Sequence, residues 1–540
     1  MDKRKVTTKV IAFILAAFLI NSCIKDEIDH NNLSSRIYWN PKIGIPVAYG
    51  NLSFEDIIES LGTSKPHIQS DSSLFMSLVY SSTIESGNAD SLIPIANQHF
   101  NEVLLASQFN LPAFPTEDTI LLNRTKNYSF SFTKGEIIDS MIIKTGSMVF
   151  NISSSYKYSG TLTIIVPKLI KNNKPITITV DINNSNGTFN SIQTYDISGY
   201  RLQLDHPNIN DNLMNCNFTA KLVNSGGGVS VGNNMVIDFN LNNIKFSSLF
   251  GYIGQIQLIH SQSKFKLPLF ENISKTNLTF ANPSLKIKTL TSFGIPTRIE
   301  IYNAKAVNEQ EGLTVPININ TSVNPFNISY PSILGQTKKD SAVFTNYNTN
   351  LNEALFIGPN NVFYTLLCSA NPAGKALNYI TDTSKMSIDV EMDLPLNMHI
   401  SQVEFTDTID LDLSMIDEEN INIKSLLLHS SFENGMPLDL SIQVYLLDEN
   451  SNHVDTLFSG INTPVIQSGT LDAQGKISNS TKKDIDILFT DEEIEKLLKV
   501  KKANIRAGIT TANNGNTFIK FYSNYSLKVL FGIQTELENK

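Results

Sequence analysis

Along most of this chain apolar and polar residues alternate one by one, in short runs rich in Ile, Val, Thr, Phe and Tyr that end at Asn, Gly, Ser or Asp. A period of two marks a strand with one face buried and the other wet. In Pro175–Ile182, Ile176, Ile178, Val180 and Ile182 share one face, and Thr161–Val166 reads the same way. Ser225–Gly228 and Asn233-Asn234 mark tight turns. The pattern predicts a mainly β protein: two or three tandem antiparallel β-sandwich-like domains with a few short helices.

Two stretches break the period. Ser53-Phe54-Glu55-Asp56 resembles a capping box with Asp in place of the usual Glu; Ile57, Ile58 and Leu61 follow on one helical face, and Gly62 is the stop. Thr490-Asp491-Glu492-Glu493 is a fuller capping box ahead of Ile494, Leu497 and Leu498. Its acids suit the positive end of a helix, and Lys499, Lys501 and Lys502 suit the other.

A weak repeat divides the chain. Leu290–Tyr302 and His429–Tyr445 both read as a strand, Ser-Phe, a Gly-apolar-Pro corner (Gly294 to Pro296, Gly435 to Pro437) and an alternating strand ending in Tyr. A fainter copy, Asn151–Val166, carries Gly160 without the proline. Glycines 134 and 141 residues apart are spaced like domains, not like solenoid repeats. The resulting division is 39–117 as an N-terminal segment with a short helix and strands, then β domains at 118–250, 251–395 and 396–540. Asn282-Pro283 and Asn371-Pro372 add to the pattern. The order Asn-Pro, strand, Gly-x-Pro, strand resembles the sandwich domain of late-embryogenesis-abundant type proteins over about thirty residues, a likeness of fold alone.

The chain opens differently. Met1–Lys5 is basic, Val10–Ile20 is an apolar run, and Asn21-Ser22-Cys23 follows, the three-part plan of a secretory signal. The run is shorter than the roughly 20 residues a membrane-spanning helix needs. Leu19-Ile20-Asn21-Ser22-Cys23 resembles the lipobox of bacterial lipoproteins. That resemblance implies a signal peptide over 1–22, lipidation of Cys23 with diacylglycerol and an amide-linked acyl chain, and a tether over 23–38. Lys25-Asp26-Glu27 resembles the acidic export tag of lipoproteins carried to the cell surface; the alternative is the periplasmic leaflet of the outer membrane. Trp39–Pro46, with the helix after it, is similar to uncharacterised envelope lipoproteins of surface-exporting bacteria.

Charge changes the picture of partners. The net charge is −9 and becomes −12 once residues 1–22, with four basic residues and one acid, are removed. An acidic chain without a Lys/Arg cluster is not a nucleic-acid binder, and membrane contact falls to the acyl chains. Besides Cys23 there are two cysteines, Cys216 and Cys368, read as small buried hydrophobes with a disulfide as the alternative.

No catalytic motif stands out, and no cofactor is implied. His99, His260, His399 and His429 lie in strand-like runs and read as structural, and Asp417-Glu418-Glu419 reads as a solvated turn. The stretch Asp448–Asp455 offers oxygens at Asp448, Asn450 and Asn452, as a calcium loop does, but has His453 where that loop needs Gly and Ser459 where it needs Glu; a hairpin loop is the preferred reading. Tyr38, Trp39 and Tyr49 lie close together as a candidate glycan platform, with burial of Trp39 preferred. The functional expectation is a membrane-anchored lipoprotein with a non-catalytic binding or envelope-assembly role, its partner an envelope protein or glycan. The alternatives are a periplasmic lipid- or polymer-handling protein and a glycan-binding or glycan-degrading one.

Overall fold

A computed structural model describes residues 42–540 apart from 62–66, 110–118, 185–187, 225–228, 271–277, 402, 411–420, 459–465, 498 and 540. Cys23, Lys25-Asp26-Glu27, Tyr38, Trp39, Gly62, the Ser225–Gly228 turn, Asp417-Glu418-Glu419, Ser459 and Leu498 lie outside the described residues.

Three principal strands come first, β1 (Lys42–Ser53), β2 (Met76–Glu85) and β3 (Gln98–Leu105), and a short strand, His67–Ser70, pairs with β2. The principal strands that follow fall into three groups of seven. The first holds β4 (Thr119–Ser129), β5 (Ile137–Ser154), β6 (Tyr158–Lys171), β7 (Lys174–Ile182), β8 (Phe189–Asp196), β9 (Leu213–Asn224) and β10 (Asn234–Tyr252). The second holds β11 (Gln257–Lys266), β12 (Ser284–Thr291), β13 (Thr297–Asn308), β14 (Leu313–Pro316), β15 (Lys338–Thr345), β16 (Asn361–Ala370) and β17 (Met386–Pro395). The third holds β18 (Val403–Asp410), β19 (Ile421–Asn434), β20 (Leu438–Leu447), β21 (His453–Leu457), β22 (Thr481–Phe489), β23 (Lys502–Thr511) and β24 (Ser526–Asn539).

Each group folds into a sandwich with the same strand order. The first sandwich has the layers β8-β5-β10-β3 and β4-β9-β6-β7. The second has β15-β12-β17-β2 and β11-β16-β13-β14. The third has β22-β19-β24-β1 and β18-β23-β20-β21. All of these pairings are antiparallel. In the first sandwich a short strand, Arg201–Gln203, also pairs with β5 and β6 and so hydrogen-bonds the two layers to each other.

The segment 39–117 contains the expected helix and strands, and its strands are shared out among all three sandwiches. The fourth strand of one layer in each sandwich comes from it, in reverse order: β1 completes the third, β2 the second and β3 the first. The chain therefore visits all three sandwiches once as single strands and returns through whole sandwiches. Between the first two sandwiches, Asn378–Thr381 pairs with β10, and Lys144 bonds Asp382 at 2.5 Å. Between the second and third, Leu278–Phe280, Asn397–Ile400 and Ile519–Lys520 form a small sheet, and Phe54 stacks on Phe521 at 4.3 Å.

The repeat seen in the sequence is the point where the chain changes layers. Gly294 and Gly435 lie between β12 and β13 and between β19 and β20, and Gly160 lies at the start of β6, after β5. Pro296 and Pro437 stand directly before the new strand, where a missing N–H costs no ladder bond. A side chain on Gly160 would overlap the backbone of Lys221 on β9.

Alternation is what the core reads. Ile176, Ile178, Val180 and Ile182 of β7 are all buried, as are Met386, Ile388, Val390, Met392 and Leu394 of β17. In the first sandwich Phe239 on β10 meets Phe150 at 5.3 Å, Phe100 at 5.0 Å and, across the layers, Tyr128 at 5.1 Å. Such ring pairs contribute about 0.5–1.5 kcal/mol each beyond the area they bury. The first capping box closes in both directions and the second in one. Ser53 N–H donates to Asp56 Oδ2 at 2.9 Å and Asp56 N–H to Ser53 Oγ at 3.1 Å, ahead of helix Phe54–Leu61. Thr490 N–H donates to Glu493 Oε2 at 2.8 Å, ahead of helix Asp491–Leu497.

Candidate functional site

Cys216 and Cys368 sit on equivalent strands, β9 and β16, of different sandwiches as free, buried thiols. Burial pushes each up to about 12, which keeps it protonated at neutral pH. Cys368 Sγ lies 3.4 Å from Met386 Sδ in the opposite layer.

The strand histidines all have local neighbours. His99 Nδ1 is 2.7 Å from Asn240 Oδ1, His260 Nε2 is 2.9 Å from the Tyr302 hydroxyl, and His429 Nδ1 is 2.6 Å from Asp486 Oδ1. His399 sets its ring edge-on to Phe518, with centroids 5.0 Å apart.

The Asp448 loop joins β20 to β21 as a hairpin turn. Asp448 Oδ1 accepts the N–H groups of Asn450 at 2.9 Å and Asn452 at 2.8 Å, and Oδ2 accepts the Asn452 side-chain amide at 2.9 Å. These bonds, the Asn452 side chain first, hold the Asp448 carboxyl below its ordinary value. Asp472 makes the same turn with Gln474 and Lys476. Among the described residues no three His, Cys, Asp or Glu side chains form a metal-binding group.

Two carboxylates, Glu102 and Glu136, are buried without a signal taken from the sequence. Glu102 on β3 is 4% exposed and faces β4. It accepts the Tyr128 hydroxyl at 2.8 Å and lies 3.4 Å from Arg124 Nε and 3.1 Å from Lys126 Nζ. Burial, then Glu102 itself, raises the Tyr128 hydroxyl far above its ordinary range. The signal was present: Gln98, Phe100, Glu102 and Leu104 share the inward face of an alternating strand. The carboxylate clamps the N-terminal strand to the opposite layer, with a cation on either side of it.

The surface offers more than the interior. Loop 329–335, Ser-Tyr-Pro-Ser-Ile-Leu-Gly, carries no charge and exposes Tyr330, Ile333 and Leu334. The Tyr379 hydroxyl holds it by donating to the Pro331 carbonyl. Two residues before Tyr379, Leu377 is 80% exposed, and Lys375 Nζ reaches across to the carbonyl of Ile209, itself 77% exposed, at 3.1 Å. These two hydrogen bonds link loop 329–335, the segment around Leu377 and Ile209 where the first and second sandwiches meet, and each of the three carries exposed apolar side chains. Tyr49, from the candidate glycan platform, is exposed on β1, on a different sandwich.

No family model matches the chain, and no curated protein matches it. A solved structure from Parabacteroides distasonis ATCC 8503, assigned provisionally to the secreted class, is 14% identical over 52% of this chain and 82% of its own, with a TM-score of 0.28. A T=1 particle derived from infectious bursal virus is 9% identical over 79% of this chain and 80% of its own, with a TM-score of 0.13. Likenesses this low carry no argument about function. No helix among the described residues is long and apolar enough to cross a membrane.

Proposed function

We propose that the chain is a lipid-tethered outer-membrane protein, facing the cell surface, with a non-catalytic binding or envelope-assembly role. The observation that carries this reading is the pairing of β1 with β24, from Lys42 opposite Glu536 to Ser53 opposite Ser526. Cys23 lies 19 residues before Lys42, a reach of at most about 65 Å for an extended chain. A lipid on Cys23 therefore roots the molecule at its third sandwich. The second sandwich is joined to the third, and the first to the second. The exposed apolar residues Tyr330, Ile333, Leu334 and Leu377 thereby lie outside the rooted sandwich, in a molecule stitched together by its own N-terminal segment.

The test has two arms. Cys23→Ser abolishes incorporation of an acyl label and releases the protein from the membrane fraction; a variant that still carries label and still pellets overturns the tether. Protease added to intact cells degrades the protein; a chain untouched until the outer membrane is opened overturns the surface placement. The role of these apolar residues is tested by Ile333→Asp with Leu377→Asp, which removes crosslinked partners from intact envelopes. An unchanged set of partners would assign binding elsewhere.

A further inference from the structure

We propose that β8 is a self-association edge, through which two copies of this chain pair antiparallel and join their first sandwiches into one continuous sheet. The inference rests on the fold alone and is independent of the tether.

Because the three sandwiches repeat one topology, β8, β15 and β22 are equivalent strands: each is the outer edge of the layer whose far edge takes the N-terminal strand. A free edge displays unpaired N–H and C=O groups, and proteins guard it with lysines, other charges, prolines or bulges. β15 opens with Lys338-Lys339-Asp340, and β22 carries Lys482-Lys483-Asp484 at its start. β8 reads Phe189-Asn190-Ser191-Ile192-Gln193-Thr194-Tyr195-Asp196. It has no Lys, Arg, Glu or Pro, and its one acid turns back to accept the Ser198 N–H at 2.9 Å. Its register with β5 runs from Ser147 opposite Asp196 to Ser154 opposite Phe189 without a bulge, so the edge is straight. Ile192 on the outward face is 73% exposed. Behind it, Val149, Asn151 and Ser153 of β5 are uncharged too.

The sequence of the edge selects the occupant. With Ile192 opposite Ile192 of a second copy, Asn190 meets Thr194, Ser191 meets Gln193 and Phe189 meets Tyr195. Apolar faces apolar, amide faces hydroxyl and ring faces ring, the combinations that stabilise cross-strand pairs. The register keeps outward residues outward; a shift by one residue would break that match. Phe189 and Tyr195 are half-buried at the open end of the core, and Tyr195 already sets its edge to Phe150 at 6.3 Å. Pairing would cover both rings. The contact is two-fold and closed, which limits growth to a dimer.

Ile192→Cys in the full chain carrying Cys23→Ser tests this, since the remaining native cysteines, Cys216 and Cys368, are buried. Under mild oxidation it gives a species of twice the mass as the main band on a non-reducing gel. The Cys23→Ser parent does not, and neither does Leu488→Cys in the same background, a position 60% exposed on the guarded β22. A mixture of Asn190→Cys and Thr194→Cys chains in that background crosslinks more than either alone. In sedimentation the wild type shows a concentration-dependent dimer, while Ile192→Lys and Thr194→Lys are monomers with unchanged melting temperature. The proposal is overturned if Ile192→Cys links no better than Leu488→Cys, if the wild type stays monomeric at its highest soluble concentration, or if the crosslinked product has the mass of a different protein.

Discussion

Gly294 and Tyr379 exchange both of their backbone hydrogen bonds, at 3.0 and 3.1 Å, and the tyrosine ring lies where a side chain on the glycine would go. Tyr379 belongs to the strand that pairs with β10, so the layer-changing corner of the second sandwich is fastened to the first. Gly294→Ala drives a methyl into that ring and costs about 1–3 kcal/mol, the usual range for overpacking. Gly160→Ala meets backbone, which yields less than a ring, and costs at least as much. Gly435→Ala, whose added carbon would stand 3.0 Å from the Ser526 carbonyl, is the mildest. Amide hydrogen exchange resolved by sandwich checks the order; equal effects at all three corners would contradict it.

Glu102 holds β3 in place, and β3 is the first sandwich's share of the N-terminal segment. Glu102→Leu leaves the Tyr128 hydroxyl unpaired in a buried site, at a cost of roughly 1–3 kcal/mol. Lys126 is half exposed and regains water, and the Arg124 guanidinium keeps its bond to Gln108, which keeps the loss below that of a fully buried ion pair. Exchange should rise in 98–105 and stay unchanged in 76–85 and 42–53. A loss shared by all three strands would mean that the clamp is global.

The alternation legible in the sequence sufficed for strands, burial and both capping boxes, because these are local consequences of spacing. Two of the three corners carried a Gly-x-Pro signal; the third, at Gly160, lacks the proline. The strand donation by β1, β2 and β3 was not legible. Lys42 pairs with Glu536, and nothing in an alternating run says which distant edge it will meet. The link among the exposed apolar segments was equally hidden, since Ile209, Ile333 and Leu377 come from separate loops. The bare edge of β8 could have been found by setting its sequence beside Lys338-Lys339-Asp340 and Lys482-Lys483-Asp484, once the repeat was extended strand by strand.

Acid should weaken the turns before the core. Ser73 hydrogen bonds hold Asp71 low, the Ser329 N–H does so for Asp340, the Asn452 side chain for Asp448 and the Thr490 N–H for Glu493. A folded carboxyl held below its unfolded value adds stability above that value and loses it as pH falls. The loss therefore begins near the ordinary values of 4.5 for Glu and 3.8 for Asp and continues below them. Melting temperature followed from pH 7 to pH 3 should drop in that window. Asp448→Asn keeps an acceptor but cannot titrate, so it should flatten part of the drop. A curve identical to the wild type would show that this turn contributes nothing.

Both interior thiols should be silent in the native protein. With each pushed up to about 12 and no exposed sulfur, neither Cys216 nor Cys368 should react with an alkylating reagent at pH 8. Denaturant should expose both together with their sandwiches. Modification of either under native conditions would mean that its sandwich opens locally on the timescale of labelling.

The N-terminal segment completes the sandwiches in reverse order, so shortening it should undo them in that order. Removing residues through Ser53 takes away β1 and leaves β24 with a bare edge; exchange should rise in β24 and β19 while β17 and β10 stay protected. Cutting through Glu85 also removes β2 and should extend the loss to β17 and β12. Cutting through Leu105 removes β3 with its Glu102 clamp, and only then should β10 and β5 lose protection. The newly bare strands are rich in apolar residues, so each step should also lower solubility. If the first cut destabilises all three sandwiches equally, they fold as one cooperative unit. If it leaves β24 fully protected, β1 is an ornament on a sandwich that is complete without it.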